Sequence, residues 1–171
     1  MTKTHIQIGF ISALSFVVAT ETPIPVTFDG FQAVSLNSSM KIQYETPEFE
    51  LQQIDQDGKS YINLNMENAG SMSDPGEPYL PTVSTYYAVE PGKSFSVVVN
   101  VQEKEIIPNV NILPFESWDA NLTGKLVKGD SYARNALFPE TIAIVSDAIV
   151  MRGLTMVQVS VTPFQYNPVT E

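Results

Sequence analysis

The chain has no cysteine, and its single histidine, His5, lies near the start of a 171-residue sequence. Without thiols no disulfide can staple the fold, so burial of apolar side chains must hold it together. His5 falls inside an apolar N-terminal segment that reads as a removable leader. Past that segment there is neither imidazole nor thiol. This excludes Cys–His and Ser–His–Asp catalysis within this chain, and the ordinary zinc sites with them. No cofactor or metal is expected. Positive charge is scarce as well: nine Lys and Arg stand against 19 Asp and Glu, a formal net charge of −10. Such a surface repels nucleic acid and anionic lipid. It suits a soluble exported protein, or one that docks on a basic partner.

Long apolar runs are also few. The main one is Ile6 to Ala19, apolar apart from Gln7 and two serines, with Lys3 ahead of it and Val17-Val18-Ala19 at its end. A basic start, a short apolar stretch and small residues before a cut are the pattern of a secretory signal. The run is short for a bilayer span. We therefore expect residues 1–19 to be a signal peptide and 20–171 to be a secreted or cell-surface domain, with no membrane attachment once the signal is removed.

What remains is rich in strand and turn residues. Hydrophobic content is 43%, with 12 Pro and 9 Gly, and Val, Ile, Thr and Tyr recur throughout. That mixture favours strands joined by turns. Met40, Ile42 and Tyr44 alternate with polar neighbours, the period of a half-buried strand. Phe49 to Ile54 and Tyr61 to Met66 flank Asp55-Gln56-Asp57-Gly58, which predicts a hairpin. The Asp-x-Asp-Gly element has some calcium-loop character, but the full spacing and closing Glu are missing, so a turn is the better reading. Residues 67–78 are loop by composition. Thr82 to Val89 is a predicted strand. Phe95, Val97, Val99 and Val101 give the clearest period-two stretch, and Glu103 to Ile112 should continue as strand with a break at Pro108. Ile142 to Val150 and Leu154 to Val161 complete the set. About eight strands with no convincing helix predict an all-β antiparallel β-sandwich, Ig-like or related, with one long irregular loop at 113–137. Long irregular segments of this kind are usually functional or mobile. The Asn167-Pro168-Val169-Thr170 turn should lead into one more strand, so the domain is expected to stop short of its last strand.

Two blocks carry a family likeness. The first is Gly76-Glu77-Pro78-Tyr79-Leu80-Pro81, followed by Tyr87-Ala88-Val89 and the valine-rich run from Phe95 to Val101. The second runs through Phe138-Pro139, Ser146-Asp147, Met151-Arg152-Gly153 and Pro163-Phe164-Gln165-Tyr166-Asn167-Pro168-Val169-Thr170. In this order and spacing the chain resembles the N-terminal propeptide domain of gingipain-like (clan CD, family C25) cysteine peptidases over roughly residues 76–171. Over 40–66 only strand spacing agrees. The resemblance implies a non-catalytic domain whose partner is the C-terminal cysteine peptidase catalytic domain of the same precursor, which it helps to fold and holds latent. In the best-known members of that family a propeptide loop offers a basic residue to the enzyme's specificity pocket. Counting back from Gly129-Asp130-Ser131-Tyr132, that loop falls within Leu113–Lys128. Its near-equivalent position carries Ser117 beside Trp118 and Asp119, with no arginine, and Lys125 is the nearest basic plug.

Other readings remain open at this point. A stand-alone adhesion or carbohydrate-binding sandwich would share the composition. A carboxylate hydrolase would need a pair such as Glu116 and Asp119. Arg152 is expected to pair a carboxylate such as Asp147.

Overall fold

The structure is a computed structural model, and it describes residues 11–12, 26–28, 30–36, 39–93, 95–117 and 124–170. The expected signal boundary at 19/20 lies outside these residues. Among the described residues the chain is nearly all β, with antiparallel sheets and a single 3-10 turn. No described helix is long and apolar enough to cross a membrane. The chain divides into two compact units, each assembled from separate stretches.

The first unit gathers residues 1–47, 83–106 and 143–163. One of its sheets is ordered β1-β4-β3-β2, from β1 (Ile11–Ser12), β2 (Val26–Phe28), β3 (Phe31–Leu36) and β4 (Ser39–Tyr44). Alternation on β4 buries Ile42 and Tyr44, opposite Ala33 and Phe31 of β3. The Phe31 and Tyr44 rings pack with centroids 4.7 Å apart. The other sheet centres on the longest strand of this unit. Leu154–Val161 (β10) takes β7 (Val83–Ala88) along one edge, and β8 (Ala143–Val145) and β9 (Ile149–Met151) along the other. Val157, Val159 and Val161 point to one face and are essentially unexposed. That is the period-two pattern expected from sequence. Each sheet thus buries one face within the same unit, the layering expected of a sandwich.

The second unit gathers 48–82, 107–142 and 164–171. Its sheet is the hairpin of β5 (Phe49–Gln56) and β6 (Lys59–Met66), in register from Phe49↔Met66 to Gln56↔Lys59. The turn is Asp57-Gly58, with φ of 53° and 72°. Two positive φ values make it the mirror-type turn that matches strand twist, and the Asp-x-Asp-Gly element is a turn as expected. Phe49 meets Phe164 edge-on at 4.9 Å. Leu64, Met66, Leu80, Ile112, Phe164 and Tyr166 supply much of the buried core.

Three expectations need correction. Among the described residues, 95–100 belong to no strand and Val101 is a single bridge residue. Their alternation is real, since Phe95, Val97 and Val99 are half-buried while Ser96, Val98 and Asn100 are exposed. Periodicity reports which face a side chain takes, not whether the backbone joins a ladder. Residues 103–112 are likewise irregular, closing in a single parallel bridge of Ile112 to Ile62. Arg152 does not pair with Asp147. It stands at φ 52° in the β9–β10 turn with Gly153 at 81°, and no ion pair joins these two described residues.

Candidate functional site

The irregular segment 113–137 is mounted on the second unit by backbone bonds. Asn111 O accepts from Ile62 N at 2.7 Å, and Leu113 N donates to Ile62 O at 2.9 Å. On the other side Tyr79 N donates to Leu113 O (2.8 Å), and Phe115 N to Glu77 O (2.7 Å). Residues 111–115 therefore run between β6 and the Gly-Glu-Pro-Tyr stretch. Pro78 and Pro114 bridge there, both fully buried, and the rings of Tyr79 and Phe115 stack at 5.5 Å.

Gly76 closes the neck of the loop that follows. Its N–H donates to Phe115 O at 2.9 Å, and its carbonyl accepts from Gly129 N at 2.7 Å. The chain leaves the body at Phe115 and returns at Gly129, and one residue holds both ends. Gly76 sits at φ 88°, and a Cβ placed on it would meet Gly129 N and Val127 O at 3.2 Å. A Cβ on Gly129 would meet Gly76 O at 3.1 Å. The two glycines allow a backbone approach that side chains would prevent.

Inside the neck a second set of contacts fixes Gly124. Glu116 Oε1 accepts from Gly124 N at 2.6 Å, and the Gln56 amide donates to Gly124 O at 2.6 Å. Glu116, named in the hydrolase reading, therefore holds the loop together; its proposed partner Asp119 lies outside the described residues. Past Gly124, Lys128 is committed to the body. Its ammonium donates to Asn111 Oδ1 at 2.7 Å and lies 4.5 Å from the Tyr132 ring centroid and 5.7 Å from that of Tyr61. Cations over aromatic faces gain from the ring quadrupole. Tyr132 opens the return path from the 3-10 turn Asp130–Ala133 and donates its hydroxyl to Ile112 O at 2.8 Å. Burial, then the neighbouring Tyr166, Tyr61 and Glu77, pushes its phenol far above the ordinary tyrosine range.

Of the four predicted contacts, Ser117 is half-buried and follows Glu116 directly, while Lys125 is exposed and follows Gly124 directly. Trp118 and Asp119 lie outside the described residues. The structure thus brings Ser117 and Lys125 to the two sides of the Glu116–Gly124 clamp. Sequence reasoning missed Gln56, Gly76, Gly124 and the clamping role of Glu116. The Gly-Glu-Pro and Gly-Asp-Ser-Tyr elements were visible signals, but nothing in their order showed that they touch. Among the described residues no group of His, Asp and Glu is placed to hold a metal ion.

Comparison with known proteins bears on this arrangement. The family model Propeptide_C25 matches residues 30–171. Gingipain R1 of Porphyromonas gingivalis is 31% identical over 107 residues, which is 59% of this chain and 11% of that protein. Gingipain R2 of the same species is 29% identical over 107 residues, 14% of its length. The chain thus spans a small fraction of the curated relatives it matches. Among solved structures, the complex of P. gingivalis RgpB pro- and mature domains aligns with TM-score 0.69 and 26% identity, covering 84% of this chain and 78% of that one. A gingipain K structure described for its zymogenic latency aligns with TM-score 0.51 over 93% of this chain and 89% of that one; at 19% identity it speaks to the fold alone.

Proposed function

We infer the function from one premise: the chain belongs to the C25 propeptide family, whose model spans residues 30–171. On this reading it is the propeptide of a secreted gingipain-like cysteine peptidase, exported through residues 1–19. It acts as latency inhibitor and intramolecular chaperone for the catalytic domain of the same precursor. The solved pro- and mature-domain complex, with which this fold aligns, supports a catalytic domain as partner. The two domains share one chain, so the effective concentration is high and modest affinity suffices until the link is cut.

The observation that carries the placement of the contact is the doubly closed loop neck. Phe115 and Gly129 are joined through Gly76, and Glu116 is joined to Gly124. A loop with fixed ends loses less entropy on docking than a free one. Lys125 is the exposed cation next to the inner clamp, whereas Lys128 is bound to Asn111 and Tyr132. We assign Lys125 as the residue offered to the specificity pocket, with Ser117, Trp118 and Asp119 as flanking contacts.

The test is inhibition in trans. Folded 20–171 is added to a mature gingipain-type catalytic domain, and peptide cleavage is followed. Inhibition at micromolar concentration is expected, weakened about tenfold or more by Lys125→Ala, the loss typical of a central interface anchor. No inhibition by the folded domain would refute the latency role. Unchanged inhibition by Lys125→Ala would refute the placement alone.

A further inference from the structure

An exposed lysine presented to a lysine- or arginine-cutting peptidase faces two fates: it can plug the pocket, or it can be cut. Which one prevails depends on how far the backbone around it can move. A substrate segment must shift from its bound form toward a tetrahedral geometry, and its new ends must then separate. Around Lys125 both movements are opposed. On its N-terminal side Gly124 is held through both of its peptide groups, the N–H by Glu116 Oε1 and the carbonyl by Gln56 Nε2, each at 2.6 Å. On its C-terminal side Lys128 is held by Asn111 Oδ1 and the Tyr132 ring, and Gly129 by Gly76 O at 2.7 Å. Only Lys125, Leu126 and Val127 lie between these anchors. The Gln56 anchor comes from the end of β5, 68 residues away in sequence, so it ties the segment to the hairpin rather than to the loop itself.

We propose that Gln56 and Glu116 are positioning residues that make Lys125 a slowly cut inhibitor instead of a substrate. The proposal rests on the latency reading for its biological purpose, but not for its physical content. In the balanced chemistry, the nucleophile of a peptidase adds to the Lys125 carbonyl and the Leu126 amine leaves with a proton. An acyl-enzyme and a new N-terminus at Leu126 result. Because the Lys128–Gly129 anchors keep that amine near the acyl carbon, it re-attacks, expels the nucleophile and restores the peptide bond faster than water can hydrolyse the acyl group. Removing either Gly124 anchor lets the acyl side drift, and hydrolysis takes over.

Trypsin serves as a probe independent of any natural partner. The full chain is digested under native conditions, and the rate of cutting at Lys125–Leu126 is read by mass spectrometry. It is divided by the rate at Arg152–Gly153, which lies in the exposed β9–β10 turn. Gln56→Ala and Glu116→Ala should each raise this ratio about five- to tenfold, the loss of one short hydrogen bond. Glu116→Gln, which keeps an acceptor oxygen, should stay within about twofold of wild type. Equal ratios in all four proteins, or Glu116→Gln behaving as Glu116→Ala, would overturn the proposal. Hydrogen exchange of the Gly124 amide in the unaltered protein tests the same anchor without mutation, so a variant that fails to fold does not rescue the idea. That amide should exchange slowly, and exchange at the free-peptide rate would sink the proposal. If the unaltered chain fails to inhibit a gingipain-type domain while the trypsin ratios behave as stated, the latency reading fails and the anchoring survives.

Discussion

Three glycine substitutions separate the two costs built into the loop neck. Gly58 has φ 72°, and a Cβ added to it would have nothing within 4 Å, so alanine there meets only the left-handed backbone cost. That cost is about 1–2 kcal/mol, partly offset by the lower entropy of the unfolded alanine chain. Gly129 has an ordinary φ of −84°, but its Cβ would sit 3.1 Å from Gly76 O, so alanine there meets only crowding. Crowding against backbone costs about 1–3 kcal/mol. Gly76 combines φ 88° with contacts of 3.2 Å to Gly129 N and Val127 O. Gly76→Ala should therefore lose about 2–4 kcal/mol, Gly58→Ala about 1 kcal/mol, and Gly129→Ala an intermediate amount. For a chain of this length each kcal/mol lowers Tm by about 2–4 °C, so Gly76→Ala should melt roughly 5–15 °C low. The assay is urea unfolding followed by far-UV circular dichroism, compared at constant m-value. The Gly76→Ala/Gly129→Ala pair should also be non-additive, because the two residues touch. If Gly76→Ala costs no more than Gly58→Ala, the close approach at the neck contributes nothing and the account of the loop's mounting is wrong.

Other outcomes follow from the same contacts. Val159→Ala removes two methyls from an unexposed site on the central strand and should cost about 2–3 kcal/mol in urea unfolding, against under about 0.5 kcal/mol for the exposed Val150. Arg152→Gly relieves a side chain held at φ 52° and should raise stability by about 0.5–1 kcal/mol despite the added chain entropy. Burial pushes the Tyr87 phenol up to about 12 and raises that of Tyr132 further. Both folded values exceed the unfolded value, so the stability they contribute is intact below about pH 10 and declines as pH rises above it. Tyr87→Phe should flatten that alkaline decline in a pH series of unfolding curves. Tyr132→Phe should flatten it too, and should also lower stability near neutral pH by about 1 kcal/mol, because Ile112 O loses its donor.

Strands whose alternation coincides with burial were legible in the sequence. Val157, Val159 and Val161 fixed the span and inward face of β10, and Asp57-Gly58 fixed the β5–β6 turn. The stretch from Phe95 to Val101 shows why the same signal misleads. Its side chains alternate in exposure from Phe95 to Asn100 as expected, yet burial of alternate side chains does not by itself recruit the backbone into a ladder. The predicted strand across 142–150 is split for a related reason. Ser146 N donates to Gln158 O and Ser146 Oγ accepts from Gln158 N, so the chain kinks at 146–148 before β9 rejoins β10. For the site, composition located the irregular segment, and the family resemblance pointed to Lys125 within it. The anchor from Gln56 was invisible because it joins a hairpin end to a loop 68 residues later, with no local pattern at either position.

Several of the sequence elements that carry the family likeness are joints between segments. Gly76 to Pro81 binds residues 113–115 and Gly129, and Phe138 pairs with Tyr166 through two bonds of 2.8 Å, with the Gln165 amide on Pro139 O at 2.8 Å. Physical tolerance explains the concentration of signal there. Val, Leu and Ile exchange in a sheet core at small cost so long as volume and pattern hold, so a strand can keep its place with other residues. A glycine pressed against another glycine, or a proline buried at a backbone bridge, has no substitute of similar shape. The joints that define the neck are therefore also the positions at which the likeness is easiest to read. A chain that kept every strand but replaced Gly76 and Gly129 would retain its sheets and lose the fixed loop, and with it the function proposed for the domain.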